Sequence, residues 1–437
     1  MQEGGRLVLK KKVTRAATLV VILALVVMVL SSLIKYEFSF NAIWRDARIA
    51  AEALKIKYGF QFMYLLGKEK YEIYDTLWYR TDRKRSGVTV HDRELASGGL
   101  TFYSNHESSA FLVDMDGNVI HRWHKPFREV WPSPKHIISP VPDKLIYWRR
   151  AELLPNGDII AIYEGINQAP YGGGIIKLDK DSNLVWKLDI NAHHDLYVTK
   201  DGNIIVLVHS YENLGVNGNP IISDGVAIIS HDGKLIKAIR ILDLMKKSEY
   251  WDVFDLSKTD PFHTNNVELL PQELARNFPM FEVGDVLVSM VQPSALFVLD
   301  NADLSPKWAL MGVTNRQHDP DFMSNGTIRI FDNIVRVTPD RVASRIIDVN
   351  PADNSIVWSY EGTELVPFFS GNRGSQQTLE GGNVLITEST AGRLFEITPD
   401  GQIVWEFIDP SLDGESIGVV NWATRHKRES LTFLDGP

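Results

Sequence analysis

The sequence predicts an all-β protein, a six-bladed β-propeller, preceded by an N-terminal transmembrane helix and a helical stalk. Three observations carry that expectation. One strand–turn–strand pattern recurs six times after about residue 98. A second hairpin precedes most of those copies. Before them, near the N-terminus, lies a 19-residue run without a charge, Ala16–Ile34.

The run "AATLVVILALVVMVLSSLI" is near the roughly 20 apolar residues a helix needs to cross a bilayer. Lys10, Lys11, Lys12 and Arg15 precede it, so the positive-inside rule keeps the N-terminus in the cytoplasm and exports the rest. A cleaved signal peptide is the other reading. For that the apolar run is long, and Val29-x-Ser31 is a poor cleavage site. The expected plan is a basic N-terminus over 1–15, a signal anchor over 16–34, a juxtamembrane stalk and linker over 35–97, and the propeller over 98–437. In the stalk, Ile43, Ala47, Ala50, Ala51, Leu54 and Tyr58 recur at helical steps without a proline. "RTDRKR" (80–85) reads as a solvated linker.

The six copies begin "FLVDMDGNVIHRWH" at Phe111, "IIKLDKDSNLVWKL" at Ile175, "AIISHDGKLIKAI" at Ala227, "LFVLDNADLSPKWAL" at Leu296, "RIIDVNPADNSIVWSY" at Arg345 and "LFEITPDGQIVWEF" at Leu394. Their spacing of about 50 to 70 residues is the length of a four-stranded blade with its loops. The second hairpins turn at Asn156-Gly157, Asp201-Gly202, Asn325-Gly326 and Gly381-Gly382, pairs that accept the positive φ of tight turns. Two hairpins make one blade. One blade must close with strand from both ends of the β region, near Leu100 and near Val419–Trp422. Two β-sandwiches would need a dividing linker, and none interrupts the copies.

Composition narrows the function. Net charge is -9, which argues against a nucleic-acid partner. There is no cysteine, which removes disulfides, thiol catalysis and thiolate metal sites.

Propellers carry function on loops and inner strand ends around the central channel. Four polar runs fall in that register. "NAHHDLYV" holds His193, His194 and Asp195, and "DPFHTNN" holds His263, Asn265 and Asn266. "NRQHDPD" holds Arg316, Gln317, His318 and Asp319, while "GNRGSQQ" holds Arg373, Ser375 and Gln376. Neutral imidazole is a nucleophile, base or metal ligand. Arginine neutralises an oxyanion. That mixture suits transfer of a group whose charge spreads over three oxygens.

"HHD…DGN", "HTNN", "QHD…NGT…FDN" and "GSQQTLEGGN…GRLFEITPDGQIVWEF" together resemble the bacterial arylsulfotransferases over about Gly98 to Arg425. The resemblance implies a six-bladed, exported propeller. It implies transfer of a sulfuryl group from an aryl sulfate donor to a phenolic acceptor, through a sulfohistidine and without a nucleotide, cofactor or metal. It places His318 as nucleophile. His263 and Asn265 would hold sulfuryl oxygens or move a proton, and His194 or His193 would be a further channel histidine. Arg316, Arg373 and Ser375 become substrate-binding candidates, and Tyr197, Trp251 and Phe262 candidate ring-flanking aromatics. Two positions depart from the family. Val291 stands where an arginine commonly follows Ser289, and Asn266 where serine is usual. The first departure keeps a binding or scaffold module open as an alternative. A metal-dependent propeller hydrolase is the other, although a tight Ca²⁺ site would want more carboxylates than Asp195, Asp319 and Asp321.

Overall fold

The computed structural model describes residues 76–435, apart from 138–139, 167, 169–170, 213–220 and 339–340. The expected anchor (16–34) and nearly all of the expected stalk helix lie outside the described residues. Among the described residues no helix is long and apolar enough to cross a membrane.

The described residues form six antiparallel sheets in a ring. Five have four strands and one has five. Blade 1 runs from the centre outward as Val420–His426, Leu100–Asn105, Ser109–Val113 and Val119–His124. Blade 2 is Ile146–Leu153, Ile159–Gly165, Gly172–Leu178 and Leu184–Leu188, and blade 3 is Ala192–Val198, Ile204–Glu212, Ile221–Ile229 and Leu235–Arg240. Blade 4 is Thr264–Leu269, Val286–Met290, Ala295–Leu299 and Pro306–Met311, and blade 5 is His318–Phe322, Ile328–Thr338, Arg341–Asn350 and Ser355–Glu361. Blade 6 is Ser375–Thr378, Val384–Glu388, Arg393–Ile397 and Ile403–Ile408. The six innermost strands touch in order, and the last returns to the first. Each sequence copy is the outer hairpin of one blade, and each Gly-containing turn named above closes an inner one.

Closure occurs where the sequence places it. Val420–His426 comes from the C-terminal end and pairs antiparallel with Leu100–Asn105, with Thr424 opposite Phe102. The β region starts earlier than expected, however. Gly87–His91 is a fifth, outermost strand on blade 6, pairing with Ile403–Ile408. Trp78–Arg80 joins a small sheet with Ser416–Gly418 and Leu412–Asp413. This part of the expected stalk and linker is therefore extended. The β-branched alternation of "GVTVH" can satisfy its backbone on an exposed sheet edge.

The core lies between blades. Phe102, Trp123, Trp148 and Ile159 pack blade 1 on blade 2. Tyr103, Leu394 and Trp405 pack blade 6 on blade 1, and comparable clusters fill the other four interfaces. The repeated tryptophan has a specific task here. Trp123, Trp186, Trp308, Trp358 and Trp405 donate Nε1–H to carbonyls of Gly157, His231, Pro351, Pro399 and Met115 at 3.0–3.2 Å, each on the next blade. Trp405 makes the joint that closes the ring. Blade 3 has Lys237 in the corresponding register and lacks this joint.

Candidate functional site at the channel mouth

The inner strands do not run straight into the channel. Bulges interrupt pairing at Trp148/Arg150, Ala192/Leu196, Thr264/Asn266, His318/Asp321 and Val420/Trp422. A bulge re-aims the side chains beside it. His194 (φ 53°), His263 (φ 48°), Arg316 (φ 58°), Asp319 (φ 48°) and Arg373 (φ 55°) adopt left-handed backbone, five of the nine described non-glycine residues that do. Such a conformation costs roughly 1–2 kcal/mol per residue and persists where the surroundings over-determine it. Strain is thus concentrated in the four polar runs.

His318 is fixed through one ring nitrogen. Its Nδ1 lies 2.8 Å from Asn333 Oδ1 and 3.0 Å from the Arg316 carbonyl. Asn333 donates its amide Nδ2 to the carbonyls of Ser370 and Arg373 at 2.8 and 2.6 Å, which turns its oxygen toward the imidazole. Both partners of Nδ1 are acceptors, so Nδ1 carries the proton and Nε2 keeps its lone pair. Burial, and next the positive charge of Arg149, push this imidazole well below its ordinary pKa. It stays neutral. The loop beneath is pinned: the Gln317 amide donates to Ser289 Oγ, the Met290 carbonyl and the Ala295 carbonyl at 3.0–3.2 Å.

His263 is set up in the opposite sense. Its Nδ1 lies 2.5 Å from Asp260 Oδ2. The surrounding protein disfavours its charged form, but Asp260, by charge and hydrogen bond, and then Asp224 lift its pKa above the ordinary value. Its side chain keeps 28% of its surface exposed, so it can reach a bound molecule. The His194 ring stands 4.9 Å away, edge-on. Burial, then Arg149, holds His194 well below its usual pKa.

Alternation along a strand would send His193 and His194 to opposite faces. The bulge instead brings their Nδ1 atoms to 2.9 Å. His194 joins His263 and His318. His193, fully buried, turns away and stacks on His209 with centroids 4.6 Å apart.

Several expected roles change. Asn265 donates its amide to the Gln317 carbonyl at 2.7 Å, which leaves its oxygen, an acceptor, without a partner. It fixes the His318 loop, and that oxygen cannot donate to a sulfuryl oxygen. Ser375 gives its hydroxyl to Thr387 at 2.9 Å inside blade 6. Arg373 donates to the Tyr147 hydroxyl and the Thr76 carbonyl, at 3.1 and 3.2 Å. Tyr147 in turn donates to Glu164 at 2.9 Å. The Arg373 carbonyl reaches His318 through Asn333, whose amide it accepts at 2.6 Å. Arg316 contributes its carbonyl to His318, and its charge lowers the pKa of both His263 and His318. Phe262 is fully buried and is not available to flank a substrate ring, while Tyr197 and Trp251 are partly buried against the blade 3–blade 4 cluster. Asp319, next to His318 in the chain, is held by blade 6. Its Oδ2 accepts the Gln376 backbone N–H at 2.6 Å.

Sequence reading missed four residues. Asn333 sets the His318 tautomer. Arg149 supplies positive charge to His194 and His318 from blade 2, with Glu164 3.6 Å from its Nε. Tyr171 and His209 complete the group around His193, with ring centroids 4.4 Å apart. Further along the inner strands, burial raises the pKa of Asp195, Glu268, Asp319 and Asp321. Asp195 ties three blades there, accepting from Arg150 at 3.1 Å, Asn266 at 2.9 Å and the Val267 N–H at 3.0 Å.

The decisive comparison is with protein families. Residues 150–409 match the arylsulfotransferase (ASST) family. The chain belongs to that family. Sulfotransferase-type chemistry on small aryl sulfates and phenols is the family's activity. No curated protein matches the chain. Among solved structures, a protein of unknown function from Bacteroides caccae is 13% identical over 75% of this chain and 98% of its own, with a TM-score of 0.49. A selenomethionine-substituted virginiamycin B lyase from Staphylococcus aureus is 12% identical over 77% of this chain and 89% of its own, with a TM-score of 0.39. The WD40 propeller domain of Doa1 is 8% identical over 79% and 99%, with a TM-score of 0.40. In this chain Val291 donates its backbone N–H to the His263 carbonyl at 3.0 Å and leaves the expected cation position apolar. Arg149 brings positive charge from another blade.

Proposed function

We propose that this arylsulfotransferase moves a sulfuryl group from an aryl sulfate ester to a phenol in two steps through Nε2 of His318. The observation that carries the proposal is the tautomer. Two acceptors hold the Nδ1 proton, so the Nε2 lone pair is available within a site that also holds a protonatable histidine and an arginine.

In the first step Nε2 attacks sulfur and the S–O bond to the aryl group breaks. His263 gives its Nε2 proton to the leaving phenolate, which departs as phenol. In the second step the acceptor phenol returns a proton to His263. Its oxygen attacks sulfur and the N–S bond breaks. Charge on the sulfuryl oxygens is met by Arg149 and by His263, and an oriented donor of this kind supplies several kcal/mol in a dry site. The proposal includes work outside the cytoplasm, tethered by 16–34. That part rests on the uncharged run and its basic flank alone.

The test is p-nitrophenol release from p-nitrophenyl sulfate, with and without phenol, by the wild type and His318→Ala. Phenol-stimulated release that disappears in His318→Ala is expected. Release indifferent to phenol would contradict transfer and indicate a hydrolase. No release by a folded protein over a range of donors would indicate a binding module.

A further inference from the structure

Behind His194, away from the proposed chemistry, lies a second polar cluster. His193, His209 and Asp224 each present one ligand atom, and all three atoms lie within 4.8 Å of one another. The residues come from three strands of blade 3: Ala192–Val198, Ile204–Glu212 and Ile221–Ile229. All three are buried, and Asp224 is wholly so. Polar atoms here are left without hydrogen bonds: His193 Nε2, both ring nitrogens of His209, Asp224 Oδ1 and the Tyr171 hydroxyl. Buried polar groups ordinarily find partners, since leaving one unpaired costs about 1–3 kcal/mol. Several orphans facing one another are better explained by a common guest than by separate defects.

We infer that His193, His209 and Asp224 form a binding site for one divalent first-row transition ion of the zinc class. Two imidazoles and one carboxylate are a ligand set that such ions favour, whereas calcium and magnesium take oxygen ligands. His193 Nε2 lies 3.7 Å from Asp224 Oδ1. The Tyr171 hydroxyl or a water completes the coordination. His193 supplies Nε2, because its Nδ1 is engaged with His194 at 2.9 Å. Ligation at Nε2 leaves the His193 proton on Nδ1, which donates to His194 Nδ1. His194 then carries its own proton on Nε2. The ion thereby orients a donor at the edge of the sulfuryl site without touching substrate. The inference stands whether or not sulfuryl transfer is the reaction.

The test uses untagged full-length protein, stripped with chelator and dialysed against Zn²⁺ or Co²⁺. One ion per chain by elemental analysis is expected, with a visible Co²⁺ spectrum of nitrogen–oxygen ligation and a higher melting temperature than the stripped form. His209→Ala and Asp224→Asn, each checked for native circular dichroism, should weaken binding more than about 100-fold, since even second-shell changes cost 10- to 100-fold. Asp224→Asn conserves shape and answers for the site if His209→Ala fails to fold. Failure of stripped wild type to bind either metal, or binding undiminished in a folded variant, would overturn the inference.

Discussion

At the residue scale, two histidines with oppositely tuned pKa values divide the work. His318 is pushed down by burial and then by Arg149, and His263 is lifted by Asp260 against the cost of burial. The signs give a pH dependence. His318 must be neutral to attack, so activity is lost only when pH falls well below 6.5. His263 must be protonated to assist departure, so activity is lost as pH rises through its raised pKa. A pH profile of kcat/KM with phenyl sulfate should therefore be bell-shaped, and His263→Gln should lack the alkaline limb. Loss of a general acid costs about 10²- to 10⁴-fold, most for donors whose phenol leaves poorly. His263→Gln should accordingly damage phenyl sulfate transfer far more than p-nitrophenyl sulfate transfer. Arg149→Met should lower kcat by about 10²- to 10³-fold, the loss typical of a removed oxyanion donor, with KM for the donor less affected. His318 and His263 were legible because each sits in a polar run at the start of an inner strand, His318 shortly before the Asn325-Gly326 turn. Asn333 was not, since 15 residues separate it from His318 and only the hairpin brings the two together. Arg149 was hidden in the buried strand "IYWRRAEL", where its one signal was a pair of arginines among apolar neighbours.

At the scale of elements, the turns and bulges do the positioning. The Asn325-Gly326 turn that opens blade 5 holds Gly326 at φ 82°, and a Cβ there would lie 2.6 Å from the Asn277 carbonyl. Gly326→Ala should lower stability by at least the roughly 1–2 kcal/mol of a left-handed residue. Urea unfolding would show this, with phenol-stimulated turnover per folded molecule unchanged. Turn chemistry made the inner hairpins readable, because Asn-Gly and Asp-Gly pairs announce positive φ. The bulges had no such signal. Left-handed histidine is uncommon, and nothing local favours it at His194 or His263. The strand Gly87–His91 was assigned to linker because a short edge strand after a basic segment resembles one.

Across the whole molecule, stability is distributed over six interfaces closed into a ring. The repeats and their tryptophans revealed that plan, while the ligand-like cluster at His193, His209 and Asp224 has no sequence periodicity to reveal it. The Trp405 joint between blades 6 and 1 holds together strands from the two ends of the domain. Trp405→Ala should cost about 3–5 kcal/mol through the cavity alone. It should also lower the cooperativity of unfolding, seen as a smaller denaturant m-value, if the ring opens before the blades melt. An unchanged m-value with the same loss of stability would mean that the blades and the ring unfold together.

The central claim is that the sulfuryl group rests on His318. The direct measurement is intact and peptide mass spectrometry of the protein mixed with p-nitrophenyl sulfate without acceptor, quenched at alkaline pH. One added sulfuryl group per chain, mapped to the peptide carrying His318 and removed by adding phenol, is the predicted result. Turnover with no added mass, or the group found on another residue, would contradict it.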